Sequence, residues 1–223
     1  MMDTQLFCRS PPSWRFPRSK DPMSSLSDRL KRITGQQRFV VARLMVQLTG
    51  AQTNPLLGTL NRVSGQAIEA ENALEQLSEG LVDICQHLLQ LQPYWQAAAN
   101  EGDVVWDEGE ASDYFNELFT DSAQRYLCQP QQVTDEDSDD DTLFLTPSEN
   151  LVVMITLVGQ GEVPDLETDL AEIDALNRGL KAIISLAYQD KLEAIQVHFS
   201  PARFGESLTA DQVLENFPEL IPL

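Results

Sequence analysis

The chain has 223 residues, 42% of them hydrophobic, and its 15 Lys/Arg against 35 Asp/Glu give a formal charge of -20. That length can bury a sizeable core, in one domain or in two small ones. So acidic a body repels a phosphate backbone over most of its surface, which argues against general nucleic-acid binding, and no apolar run reaches the roughly 18 residues that cross a bilayer.

The charge is unevenly placed. Residues 1–43 hold nine Lys/Arg and three Asp/Glu, while the rest of the chain holds six and thirty-two. Residues 1–23 therefore read as a disordered basic tail, with Met23 a candidate start and no apolar stretch of the kind a secretory signal needs. Three cysteines without CxxC spacing, Cys8, Cys85 and Cys128, fit free thiols in a reducing compartment.

Ser24 to Asp28 offers helix caps before Leu30 and Ile33, with Arg29, Lys31 and Arg32 beside them. Over 36–48, Arg38 and Arg43 accompany Phe39, Val40, Val41 and Leu44, and a helix is expected. Such a basic amphipathic helix suits an anionic membrane surface or a partner, with Arg29, Lys31, Arg32, Arg38, Phe39 and Arg43 as contacts. The reading favoured over it is a buried helix of the domain core with solvated arginines.

Asn54-Pro55 opens a helix that the 4,3,4,3 spacing of Leu56, Leu60, Val63, Ala67, Ala70, Leu74, Leu77, Leu81, Ile84, Leu88 and Leu91 carries almost to Pro93. Its seam predicts an intramolecular bundle in preference to a dimeric coiled coil, with Gly65 and Gly80 as points of close approach. Pro93 resets the chain into a short helix bearing Tyr94 and Trp95. A further aromatic-rich helix carries Ala111, Tyr114, Phe115, Leu118, Phe119, Ala123, Tyr126 and Leu127.

Residues 129–146 form an acidic linker, since the run of Asp and Glu there is too charged and too poor in apolar groups to pack. Its alternating Asp135, Asp137, Asp139 and Asp141 lack the glycine and closing glutamate of a calcium loop, so no metal site is expected.

Leu151 to Val158 reads as a strand. Thr168 caps a helix through Leu170, Ile173, Leu176, Leu180, Ile183 and Ile184, and Leu192 to Phe199 reads as a second strand, paired parallel to the first by a right-handed crossover. Thr209 and Gln212 have capping-box spacing for a final helix, with Leu208 and Val213 as its staple. His198 is expected to be a core or edge residue, and Cys85 and His87 to be structural. The fold class is α+β: a helical part at 24–128 with a long amphipathic helix, then a small β-α-β-α unit at 147–223.

Leu151 to Val158, Asp169-Leu170, Leu176, Ala194 to Pro201, Ser207 to Thr209 and the ending Phe217-Pro-Glu-Leu-Ile-Pro-Leu223 resemble the domain of unknown function 1517 family, and Tyr94-Trp95 and the helix from Glu110 extend the resemblance. It implies a cyanobacterial or plastid setting and carries no activity or catalytic residues.

No catalytic, nucleotide or metal motif occurs, so no cofactor is expected. The leading expectation is a non-enzymatic interaction or scaffold protein with a protein partner, cytoplasmic or peripheral to the thylakoid membrane. The alternative is a small-molecule-binding or catalytic domain with its pocket where helices meet the sheet.

Overall fold

The computed structural model describes residues 37–50, 53–69, 73–127, 150–201 and 208–223, without the side chains of Tyr126 and Leu127. The basic tail, the helix expected near Leu30, the acidic linker, Cys8 and Cys128 lie outside them.

The protein is α+β. Five antiparallel strands form one sheet, ordered β4-β3-β1-β2-β5: β1 (Phe39–Thr49), β2 (Trp95–Val105), β3 (Asn150–Gln160), β4 (Leu192–Ser200) and β5 (Ile221–Pro222). The helices are α1 (Asn54–Glu69), α2 (Leu74–Gln90), α3 (Glu108–Leu127), α4 (Ile173–Tyr188) and α5 (Ala210–Asn216). Even-numbered residues of β1, such as Leu44, Val46 and Leu48, face α1, α2 and α4 in the main core. Odd-numbered ones face the other way, Phe39 and Val41 toward α3 and Met45 toward α5.

Four expectations are corrected. The segment 39–49 is a strand, and it lies at the centre of the sheet. Val40, Val41 and Val46 are β-branched, and the run is apolar on both faces because helices cover both, so it carries no amphipathic period to separate helix from strand. Trp95–Val105 is also a strand, although Ala97 to Ala99 favour helix in isolation, because β1 pairs with it from Phe39 to Leu48.

The long helix is two helices. The backbone leaves the helical region at Ala73 (φ -58, ψ 130), and α1 and α2 pack together as a hairpin, so the 4,3,4,3 seam folds back on itself. Close approach occurs at Gly80, against Val63, and not at Gly65.

Finally, β3 and β4 run antiparallel. The chain leaves β3 and spends residues 161–172 returning along the sheet before α4 begins. A 16-residue helix then covers about 24 Å in the opposite direction. It ends where it started, with Gln160 N–H donating to Lys191 O at 2.8 Å, so the next strand must run backward beside the first. Helix α4 begins at Ile173 instead of after Thr168, with Leu170 buried in the approach.

The aromatic helix, both terminal strands and the Thr209/Gln212 capping box form as expected. Strands from both sides of the 129–146 segment join the one sheet.

Candidate functional site

The sheet face under α3 has two apolar clusters, one around Phe39, Val41, Phe115 and Val158, the other around Met45, Met154, Val213 and Phe217. Between them runs a polar rung. Strand register sets Glu101 of β2 beside Arg43 of β1, Arg43 beside Thr156 of β3, and Thr156 beside Gln196 of β4. His198 lies two residues along on the same face, because side chains of a strand alternate.

Arg43 is the centre of the rung and is 1% exposed. Its Nη2 pairs with Glu101 Oε1 at 2.8 Å, and its Nη1 donates to Asp121 Oδ2 at 2.5 Å, to Ser122 Oγ at 3.0 Å and to Leu118 O at 3.4 Å. A guanidinium so removed from water needs such partners, and both carboxylates stay partly in solvent. From Asp121 the network continues to Arg125, whose Nη1 donates to Asn216 O and pairs with Glu219. The chain of charges therefore fastens α3 to the sheet and the C-terminal segment to α3.

Partial burial works against the Asp121 carboxylate, but the hydrogen bonds from Arg43 and Arg125 outweigh it and hold its pKa below the usual range. Burial lowers the His198 pKa to about 4, and the nearby Arg43 charge adds to the effect, so the imidazole is neutral. Gln196 Nε2 lies 3.0 Å from His198 Nε2. The amide and the ring form one hydrogen-bonded pair, in which the tautomer of the imidazole sets which group donates. The ring also tilts against Phe119, with centroids 5.9 Å apart. Arg43 Nε, Thr156 Oγ1, Gln196 Oε1 and His198 Nδ1 have no protein partner.

Three of the residues singled out from sequence are placed. Arg38 forms a bidentate pair with Glu167, Phe39 is buried beside α3, and Arg43 is the hub just described. Arg29, Lys31 and Arg32 lie outside the described residues. The rung itself escaped sequence reading, yet a signal existed: Thr156 is the lone polar residue in Leu151–Val158, and Gln196 and His198 interrupt an otherwise apolar Ala194–Phe199. Lone polar residues on adjacent apolar strands must meet if their registers match.

Among the described residues no three His, Cys, Asp or Glu side chains are grouped to hold a metal ion, and no helix is long and apolar enough to cross a membrane. Cys85 is buried in the main core, which pushes its thiol pKa up.

A five-stranded antiparallel sheet with helices on both faces and a charged hub under one helix defines an α+β class of protein. The chain belongs to the family described as proteins of unknown function, DUF1517, whose family model matches residues 38–223. No curated protein and no solved structure matches it.

Proposed function

We propose that the protein is a non-enzymatic interaction or scaffold protein that binds a protein partner. The observation that carries this reading is an open groove of about 560 Å³ between the α1–α2 hairpin and the end of α4, lined by Arg62, Glu75, Glu79, Asp83, Tyr188 and Asp190 among others. Tyr188 stands 72% exposed there. Tyrosine supplies broad contact area with little rotamer entropy to lose, which is why it is enriched at protein interfaces. The charged groups under α3, by contrast, are engaged with one another.

The family resemblance supports a cyanobacterial or plastid setting, cytoplasmic or at the thylakoid surface. On this reading any contact with anionic lipid falls to Arg29, Lys31 and Arg32, because Arg38, Phe39 and Arg43 serve the fold. Flotation with anionic and neutral liposomes tests that part, and equal flotation on both, or none on either, removes it.

The partner reading is tested by affinity isolation from native cells with the full chain and with a Tyr188→Ala, Asp83→Lys variant of unchanged circular dichroism. A protein held by the first and lost by the second supports the groove. Equal capture by both counts against it.

A further inference from the structure

The groove between the α1–α2 hairpin and the end of α4 is one-sided in charge. Glu75, Glu79 and Asp83 follow one another at steps of four along α2, so they form a stripe on one face of the helix, and Asp190 joins them from the turn after α4. Arg62 pairs with Asp83 at 3.0 Å, whereas among the described residues Glu75, Glu79 and Asp190 have no ion pair. Glu75, in the first turn, complements the positive end of α2. Glu79 and Asp83 do not, and carboxylates at steps of four repel one another. The exposed Tyr188 ring adds a second kind of cation contact, since the face of an aromatic ring attracts Lys and Arg.

The protein's basic stretch enters the sheet beside this groove. Residues 1–36 carry seven Lys/Arg against three Asp. They lead into β1 at Phe39, which pairs with Gln160 of β3, and Gln160 N–H donates to Lys191 O, next to Asp190. Two strand spacings, about 10 Å, therefore separate the start of β1 from the turn that carries Asp190. The stripe from Glu75 to Asp83 is about 12 Å long. Arg32, Lys31 and Arg29 stand seven to ten residues before Phe39, a span of up to roughly 23–33 Å, so they can reach all of it.

We propose that the groove is occupied by the protein's own basic arm, with Arg29, Lys31 and Arg32 laid along the Glu75, Glu79 and Asp83 stripe and against Tyr188. Opposite charge selects the groove, and attachment to β1 holds the arm beside it at a high effective concentration. A protein partner then has to displace the arm. The same three cations cannot meet lipid while docked, so the docked arm and a lipid-bound arm exclude each other. The proposal rests on the groove being a docking site, as in the partner reading above, but needs no partner.

The test uses the full chain with Cys8→Ser and Cys128→Ser, which leaves Cys85 in the core, and a nitroxide on Ser27→Cys. The label is expected to broaden the amide signals of Glu75, Glu79, Asp83 and Tyr188 more than those of Asp107 and Glu162, acids that flank the start of β1 outside the groove. That preference is expected to vanish in about 1 M salt, where charges are screened beyond about 3 Å. It is also expected to vanish in the variant Arg29→Glu, Lys31→Glu, Arg32→Glu, which alters only the arm, and in Glu75→Lys, Glu79→Lys, where both changed positions are exposed. Equal broadening at the two sets of amides, or a preference that survives reversal of the arm, overturns the proposal. Broadening that fades on tenfold dilution would come from the arm of a second copy and overturns it equally. Because no partner enters the measurement, its failure leaves the partner reading standing, and equal capture by the two affinity baits leaves this one standing.

Discussion

Gly80 of α2 and Val63 of α1 stand so close that a Cβ at position 80 would lie 2.4 Å from Val63 Cγ1. Valine is held to few rotamers in a helix and cannot swing clear. Gly65, on the same hairpin, has nothing within 4 Å of its added Cβ.

The two glycines should therefore respond oppositely to alanine. Gly65→Ala is expected to stabilise by about 0.5–1 kcal/mol through helix propensity. Gly80→Ala gains the same propensity but must force the helices apart, and overpacking costs about 1–3 kcal/mol, so a net loss is expected. Urea denaturation measures both. Val63→Ala should relieve the second, and absence of that rescue would show that the contact is not the cause.

A second prediction concerns Arg38 and Glu167. Arg38 Nη1 and Nη2 donate to the two Glu167 carboxylate oxygens at 2.9 and 2.6 Å, and Nη1 also donates to Gly161 O. Glu167 in turn accepts the Val163 N–H, so one side chain anchors the start of the long return to α4. Arg38→Ala is expected to cost about 1.5–3 kcal/mol, the range for hydrogen bonds to charged groups. Amide exchange should rise at Gly161 and Val163 first. Arg38→Lys should recover little of the loss, since a single ammonium cannot reproduce the fork. Unchanged exchange at both amides in Arg38→Ala would refute the anchor.

These anchors mark where the sequence was legible. Capping at Thr209, the face of α3 and the Leu176, Leu180 and Ile183 part of the α4 stripe carried their own local signals and fold as those signals dictate, whereas Ile173, expected in that stripe, stands exposed at the start of α4. The identity of β1 did not, because Phe39–Thr49 is largely buried on both faces and a period of two is obscured when apolar residues dominate both. The break between α1 and α2 was hidden for a related reason: the heptad-like spacing continues across it, since both helices turn their apolar faces to one core. The partners of Arg43 come from β2 and α3, far apart in the chain, and only strand register brings them together.

Arg43 supports a third prediction. Asp121→Ala removes one of its two carboxylates while leaving the guanidinium buried, and a loss of about 1–3 kcal/mol is expected, because such a group keeps its desolvation cost. Arg43→Met should be less damaging than Arg43→Ala. It fills the space between the apolar clusters and leaves Glu101 and Asp121, each 43% exposed, free to turn to water. Equal losses for Met and Ala in chemical denaturation would show that packing at the rung is unimportant.

The last prediction follows from His198, whose pKa in the fold is about 4 against an ordinary 6.5. Above pH 6.5 the imidazole is neutral in both folded and unfolded chains, so stability there is independent of it. As pH falls from 6.5 toward 4 the unfolded chain takes up a proton that the folded one refuses, and stability declines through that window. The full difference is on the order of 3 kcal/mol. The carboxyls of Asp121 and Glu167, held below their usual range, begin to withdraw their contribution as pH falls through the ordinary carboxylate range, which overlaps the acid end of this window, and the comparison with His198→Gln cancels their shared effect. Glu193, whose carboxyl burial raises, works in the opposite sense as pH falls. Comparison with His198→Gln cancels that shared term, because both proteins retain Glu193. The native chain is expected to lose more stability than the variant between pH 6.5 and 4.5, measured by urea denaturation at each pH. Parallel pH profiles for the two proteins would mean that His198 takes up its proton in the fold as readily as in the unfolded chain.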